Sequence, residues 1–266
     1  MPEGDTVFIT AQRLRVALAG RLVTQFELRV PALALADQGG TTLDEVQPIG
    51  KHLLMRFSDG RTLHSHLRMD GAWRVAGVGK RRASAGPEHT IRAIVGNAQA
   101  TAIGYRVHDL ALVDTQNEAE LVGHLGPDLL DPRFDLGEAL RRFSANADLS
   151  IGDALLDQRL TAGLGNVYKS ELMFLHQLDP WQTVAETTGL EVILTDAVRL
   201  LRANIGRFNR STTGWTQPGQ QYFVYGRKGL ACRRCGTRIR QAEQGSAATE
   251  RVLYYCPSCQ PVADRH

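Results

Sequence analysis

The chain has 266 residues, 43% of them hydrophobic and 22% charged, with a formal net charge of +3. That length suggests about two domains, and the balance is ordinary for a soluble globular protein. No apolar run approaches the roughly 18 residues of a membrane span, and the acidic opening Met1-Pro2-Glu3-Gly4-Asp5 is not a signal or transit peptide, so a cytoplasmic protein is expected.

In chain order, the first section (about 1–120) opens with a helical pattern. Asp5 is a plausible N-cap, and Val7, Ile9, Leu14 and Leu18 supply an apolar face. Short β-like runs follow at Leu22–Val30, Val46–Phe57, Thr62–His66, Ala72–Val75, Thr90–Val95, Ala100–Tyr105 and Leu110–Asp114. Turn signals such as Pro48, Asp59-Gly60 and Asp70-Gly71 separate them, which argues for a β-sandwich or barrel. The Gly/Ala/Ser/Lys/Arg-rich stretch Gly77–Pro87 reads as a mobile basic loop. A hinge is expected near Gly123–Pro132. Helical patterns then run from Leu136 to about Arg207, interrupted by Gly163-Leu164-Gly165. Residues 208–221 are polar and read as mobile, and a final hairpin runs from about Tyr222 to Gln260 with a flexible tip at Gln241–Thr249.

Charge is segregated along this order. Residues 51–108 carry ten Lys/Arg against three Asp/Glu, residues 109–206 seven against sixteen, and residues 207–260 nine against two. Two basic blocks flanking an acidic middle suit a polyanion held between two basic surfaces; the bland reading is scattered solvated side chains.

The four cysteines, Cys232, Cys235, Cys256 and Cys259, form a C-x2-C-x20-C-x2-C pattern. Two CxxC knuckles supply four thiolates for one tetrahedral zinc ion, a structural centre in a segment with little apolar residue of its own. A pair of disulfides is the competing reading, disfavoured where nothing marks the chain for secretion.

At the other end, removal of Met1 would leave Pro2 as a free secondary amine. An α-amino group has a pKa near 8, so a useful fraction is unprotonated at neutral pH. Attack of such an amine on a sugar C1′ gives a cationic iminium, an electron sink for elimination. Glu3 stands beside it as a general acid or base.

Several motifs in fixed order carry a resemblance. They are Pro2-Glu3-Gly4-Asp5; Gly50-Lys51-His52 in an early strand; His66-Leu67-Arg68-Met69-Asp70-Gly71 in a turn; Gly126-Pro127-Asp128 at the hinge; Gly163-Leu164-Gly165-Asn166-Val167-Tyr168-Lys169-Ser170-Glu171 between helices; and Val224-Tyr225-Gly226-Arg227-Lys228-Gly229 before Cys232. Over essentially its whole length the chain resembles the formamidopyrimidine-DNA glycosylase / endonuclease VIII family of base-excision repair enzymes. The resemblance implies an α+β chain in three parts. These are an N-terminal catalytic β-sandwich with flanking helices (1–122), a helix-two-turn-helix DNA-binding domain (123–221) and a C-terminal β-hairpin zinc finger (222–266).

It also implies roles. Pro2 resembles the Schiff-base nucleophile, Glu3 the acid/base, Lys51 a catalytic lysine aimed at the site that binds the flanking phosphate and helps the elimination steps, and Arg251 the finger arginine that contacts phosphates and supports δ-elimination. Met69 resembles the wedge that fills the hole left by a flipped base, with Arg68 beside it for the orphaned partner. Asn166 would donate to a phosphate at the turn before a helix, and His124 stands for the basic hinge contact. Read alone, Lys51 is a solvated strand lysine, Met69 core filling, and Gly163/Gly165 a capping pair. Arg233, Arg234, Arg238 and Arg240 read as general phosphate contacts or solvated charges.

The opening Pro-Glu-Gly-Asp favours the endonuclease VIII branch, hence oxidised pyrimidines and abasic sites, by β- then δ-elimination. The expected partner is damaged DNA, the expected state a monomer associated with chromosomal DNA, and the only expected cofactor one structural Zn2+ per chain. The rivals are specificity for 8-oxoguanine and formamidopyrimidines, or a non-catalytic zinc-finger protein that binds DNA. A zinc-ribbon RNA-binding module is disfavoured by the helical Gly-Leu-Gly-Asn turn.

Overall fold

The computed structural model describes residues 2–77, 86–207, 209–245 and 251–263. The chain divides into two compact units, Met1–His124 and Leu125–His266.

The first unit opens with α1 (Gly4–Leu18), on which Val7, Ala11, Leu14 and Leu18 recur at helical spacing and are all buried. Its N-cap residue is Glu3, not Asp5; Asp5 lies in the first turn, where its Oδ1 accepts from the Thr6 N–H at 2.7 Å. Among the described residues nine strands follow: β1 (Arg21–Leu22), β2 (Gln25–Leu28), β3 (Thr42–Ile49), β4 (His52–Phe57), β5 (Arg61–His66), β6 (Ala72–Gly77), β7 (Ile91–Gly96), β8 (Ala100–Tyr105) and β9 (Asp109–Asp114). They form two antiparallel sheets, β1-β3-β4-β5-β9 and β2-β7-β8-β6. A single core takes Leu14 and Leu18 from α1, Leu43, Leu53, Met55 and Leu63 from the first sheet, and Trp73, Ala93, Val95 and Ala102 from the second. A short helix, α2 (Ala119–Val122), closes the unit.

Two expected runs divide. Leu22–Val30 splits because β1 pairs with β3 while β2 pairs with β7 in the other sheet. Val46–Phe57 splits into a hairpin at Gly50-Lys51, so Lys51 occupies a turn between strands rather than a strand. Residues 78–85 of the expected basic loop lie outside the described residues.

Strand alternation places Leu53, Met55 and Leu63 in the core, so His52, Leu54 and Arg56 on β4 and Thr62, His64 and His66 on β5 face the opposite side of the sheet. There Arg56 is clamped by Glu118, Glu45 and Gln47 at 2.6–2.7 Å, and Thr62 Oγ1 donates to Glu118 at 2.6 Å.

The second unit holds α3 (Leu136–Ser144), α4 (Ile151–Leu156), α5 (Asn166–Leu175), α6 (Leu190–Asn204) and the hairpin β10 (Arg240–Gln244) and β11 (Arg251–Tyr255). Asp135 caps α3 by accepting from the Glu138 N–H at 2.9 Å, and Ser150 caps α4 by accepting from the Asp153 N–H at 3.1 Å. From Asn166 to Phe174, α5 is buried on every side. Buried apolar and cysteine side chains, Phe174, Val224, Cys232, Ile239, Cys256 and Cys259, form one cluster that seats the cysteine-rich hairpin on α5.

Parts of two segments read as mobile are anchored. Ser211 and Thr212 are buried; the Ser211 N–H donates to Asn204 Oδ1 at 2.7 Å, and the Thr212 hydroxyl donates to Glu171. Gln241–Gln244 belongs to β10 rather than to a flexible tip, and residues 246–250 lie outside the described residues.

Glu171, 0% exposed, organises this unit. Its Oε2 accepts from the Phe223 N–H and its Oε1 from the Val224 and Tyr225 N–H groups, all at 2.8 Å. Burial pushes its carboxyl above the usual range, and these donors pull against that shift. Glu171→Gln puts an NH2 where a doubly used acceptor stood. It should cost about 2–4 kcal/mol in urea unfolding; wild-type stability would contradict this assignment.

Candidate active site and metal centre

Pro2 is half-buried directly before α1, and Glu3, at the helix N-cap, is 0% exposed. Helix α1 is tied to the five-stranded sheet by Arg15, whose Nε donates to the Val46 carbonyl at 3.1 Å. The nucleophile candidate thus stands on a rigid helix start, not on a loose tail. Lys51 is half-buried at the β3–β4 turn, close enough to His66 for its charge to act on that ring.

A cluster of imidazoles adjoins Lys51. His52 and His66 are cross-strand partners, and Asp109 of β9 is the next residue in that row. His52 Nδ1 lies 2.8 Å from His64 Nε2 in a near-parallel stack. His124, expected at the hinge as a DNA contact, sits edge-on to His52 with ring centres 6.2 Å apart. Burial, then the neighbouring rings His66, His64 and His124, lowers His52 to about 3. Burial, then the Arg68 charge, lowers His66 to about 4, and burial lowers His64. These rings are neutral at pH 7. His66 Nδ1 accepts from the Arg68 N–H at 3.0 Å, so its proton resides on Nε2. The spacing His64-Ser65-His66 was the available sequence signal, since alternate strand residues share a face. Partnership with His52 and Asp109 required the register.

The β5–β6 turn presents Arg68 and Met69 outward. Met69 is 61% exposed, which excludes core filling in this unit. Arg68 adopts φ +50° and its Nε donates to Asp109 Oδ2 at 2.8 Å.

In the second unit, Gly163 takes φ +114° to turn the chain into α5, and the side chain of Gln158 braces that turn through Gly163 N and Leu164 O at 3.0 and 2.9 Å. Asn166, the expected phosphate donor, is only 5% exposed and its amide nitrogen donates to the Val252 carbonyl. An amide nitrogen carries two hydrogens, and the hairpin takes one of them. Arg251 is exposed at the start of β11.

Three of the arginines read as phosphate contacts or solvated charges make internal bonds. Arg233 donates to the Tyr222 and Gly219 carbonyls at 3.1 and 2.7 Å and stacks over Trp215; Arg234 stacks over Phe174; Arg238 donates to the Gly229 carbonyl at 2.9 Å. They brace the finger.

The four cysteine sulfurs lie within 4.8 Å of one another. Cys232 and Cys259 are 3.9 Å apart, and Cys235 and Cys256 3.5 Å. A tetrahedron with 2.3 Å metal–sulfur bonds has edges of about 3.8 Å, whereas a disulfide requires about 2.05 Å. The donor set fits one metal ion and not two disulfides.

Comparison with known proteins decides the lineage. The model of the formamidopyrimidine-DNA glycosylase N-terminal domain matches residues 1–126, and that of the formamidopyrimidine-DNA glycosylase H2TH domain matches residues 125–214. The chain belongs to the formamidopyrimidine-DNA glycosylase / endonuclease VIII family. It is 51% identical over 262 residues to the probable endonuclease 8 2 of Streptomyces coelicolor, covering 98% of this chain and 94% of that one. It is 43% identical over 260 residues to the DNA-(apurinic or apyrimidinic site) lyase Nei2 of Mycolicibacterium smegmatis, covering 98% and 99%. It is also similar to Lactococcus lactis Fpg crystallised with DNA containing an abasic site, with TM-score 0.79, 25% identity and coverage of 97% and 99%. Among the described residues, no helix is long and apolar enough to cross a membrane.

The histidine cluster has a measurable consequence. His52 and His66 titrate well below the ordinary 6.5, so below that pH the unfolded chain binds protons that the folded unit refuses. Their contribution to stability is present above about pH 6.5 and is lost as pH falls toward 4, by at most about 1.4 kcal/mol per pH unit for each ring. Partial solvent access to both rings reduces that figure. Urea unfolding at pH 7 and pH 4.5 should show a shallower acid loss for His52→Gln than for the wild type. Equal losses would mean that the cluster is not refusing protons.

Proposed function

We propose that the protein is a bifunctional DNA glycosylase and abasic-site lyase of base-excision repair, acting first on oxidised pyrimidines. The observation that carries this reading is the Pro2-Glu3 pair at the rigid start of α1, with the carboxylate fully buried beside the amine. In the proposed course, the Pro2 nitrogen attacks C1′ of the damaged nucleotide, the C1′–N bond breaks, and the base leaves after accepting a proton. Glu3 moves that proton and assists ring opening. The resulting iminium acidifies C2′. Loss of a C2′ proton breaks the C3′–O bond, a further elimination breaks the C5′–O bond, and each phosphate departs on its own strand end.

The surrounding groups bind the DNA, and Lys51 and Arg251 also assist the eliminations. Lys51 supplies a cation for a phosphate next to the lesion, with the neutral His66 beside it offering an Nε2–H donor. Arg251 contacts phosphate from the finger and supports the second elimination, and Asn166 offers its remaining N–H. Met69, exposed at the β5–β6 turn, is the proposed wedge, with Arg68 and His124 as further DNA contacts.

Zinc is the proposed ion at Cys232, Cys235, Cys256 and Cys259, since four thiolates with tetrahedral spacing suit it. It would hold the hairpin that carries Arg251 and add no chemistry to the cut; metal analysis of the purified chain should find one zinc per chain. The three-part division at 122/123 and 221/222, a monomeric state and a cytoplasmic place on chromosomal DNA complete the reading.

Cleavage assays on duplexes bearing thymine glycol, 8-oxoguanine or an abasic site test it. The wild type should cut thymine glycol faster than 8-oxoguanine. A chain extended by residues that keep the Pro2 nitrogen in an amide bond should lose cutting of all three, whereas Glu3→Gln should lose base removal by about 10²–10⁴-fold and still nick the abasic site. Faster cutting of 8-oxoguanine would overturn the pyrimidine preference, and wild-type rates for the extended chain would overturn the nucleophile.

A further inference from the structure

Lys169 lies in the middle of α5 and is 0% exposed. Its Nζ donates to Gln244 Oε1 at 3.3 Å. Lysine is almost never fully buried unless paired, because an ammonium taken out of water costs several kcal/mol. The charged groups acting on it among the described residues are Asp153 of α4, which favours the cation, and Arg251 of β11, which opposes it. Gln244, from β10, is neutral. Burial dominates and holds the ammonium down to about 8.

Gln244 is as tightly fixed as its partner. It is 4% exposed, and its Nε2 donates to the Pro180 carbonyl at 2.6 Å and to Ser150 Oγ at 3.3 Å. Its amide rests against Gly152 of α4, where an added Cβ would stand 2.6 Å from Gln244 Cδ. Gln244 ends β10 and is the direct cross-strand partner of Arg251, which begins β11. One residue further, the Val252 carbonyl accepts from Asn166 Nδ2. Lys169 and Asn166 are three residues apart on one face of α5. They grip the two strands of the hairpin at the level of Arg251.

A pair of well-packed apolar side chains would stabilise this contact at least as well as a buried cation. What the polar pair adds is direction and charge. An amide with all its bonds assigned has one orientation, and a cation lies close enough to Arg251 for the two charges to act on each other. We infer that Lys169, acting through Gln244, is a positioning residue for Arg251, fixing the place from which that arginine reaches phosphate. The inference rests on the phosphate role proposed for Arg251. Binding of a phosphate by Arg251 offsets the charge that opposes Lys169, so DNA binding and the protonated Lys169 favour each other.

The test is single-turnover cleavage of a duplex with an abasic site, reading the ratio of δ- to β-elimination product from pH 6.5 to 9.5. The chains compared are wild type, Lys169→Met, Lys169→Arg, Gly152→Ala and Arg251→Ala, with thermal melting as the check on folding. Lys169→Met should lower the ratio on the order of tenfold or more, with borohydride trapping of the first Schiff base unchanged. Gly152→Ala, which displaces Gln244 while leaving Lys169 in place, should lower it in the same direction. The wild-type ratio should fall as pH rises above about 8, since bound phosphate favours the protonated Lys169, whereas Lys169→Arg, charged throughout, should not share that fall. A folded Lys169→Met or Gly152→Ala with the wild-type ratio at every pH would overturn the positioning role while Arg251→Ala remained defective. A wild-type ratio from Arg251→Ala would instead overturn the phosphate role of Arg251, and the inference with it.

Discussion

One buried carboxylate holds the second unit together. Glu171 gathers three consecutive main-chain N–H groups, at Phe223, Val224 and Tyr225, and the hydroxyl of Thr212. These donors lie 41 to 54 residues away in sequence, so a single side chain on α5 fixes both the polar segment after α6 and the entry to the cysteine-rich hairpin. Little else could do so. The finger has few apolar residues, and its small core is shared with Phe174 of the same helix. Helix α5 therefore acts as a spine. Its N-terminus forms the Gly163–Asn166 turn, Lys169 and Asn166 hold the hairpin beside Arg251, and Glu171 and Phe174 seat the segment that leads to the cysteines.

The first unit meets a different constraint. The groups proposed to act there lie at a helix start and on a sheet face, where cations and imidazoles crowd together. Lys51 and Arg68 stand close to His66, and burial keeps the rings of His52, His64 and His66 neutral, so the cationic charge stays on the lysine and arginine. Asp109 holds the Arg68 side chain, and Glu118 with Glu45 balances Arg56.

What the sequence showed follows from the range of the interactions. Local patterns were readable. Ala100–Tyr105 is β8 from end to end, α3 to α6 lie within the helical stretch read from Leu136 to about Arg207, and the two CxxC pairs meet as four adjacent sulfurs. Non-local partners were not. Ser211 and Thr212 look like a mobile polar run until Glu171 and Asn204 are placed against them. Gln241–Gln244 looks like a flexible tip until β11 pairs with it. Lys51 looks like a strand residue because Val46–Phe57 reads as one β-like run, although the chain reverses at Gly50. Asp5 looks like a cap because its type is common there, but Glu3 precedes it and takes the position. The roles proposed for Pro2 and Glu3 start from the chemistry of an N-terminal amine beside a carboxylate, and those proposed for Lys51 and Arg251 rest on the order of motifs. The groups behind them, Lys169, Gln244 and His52 among them, were not legible, because each works through a partner distant in the chain.

The claim at the centre of this account is that the N-terminal amine is the nucleophile. Borohydride reduction during reaction with an abasic-site oligonucleotide, followed by proteolysis and mass mapping of the cross-linked peptide, tests it most directly. The account requires the mature chain to begin at Pro2 and the adduct to lie on that residue. An adduct on Lys51 or another lysine, or no adduct from DNA-bound protein that begins at Pro2, would contradict it.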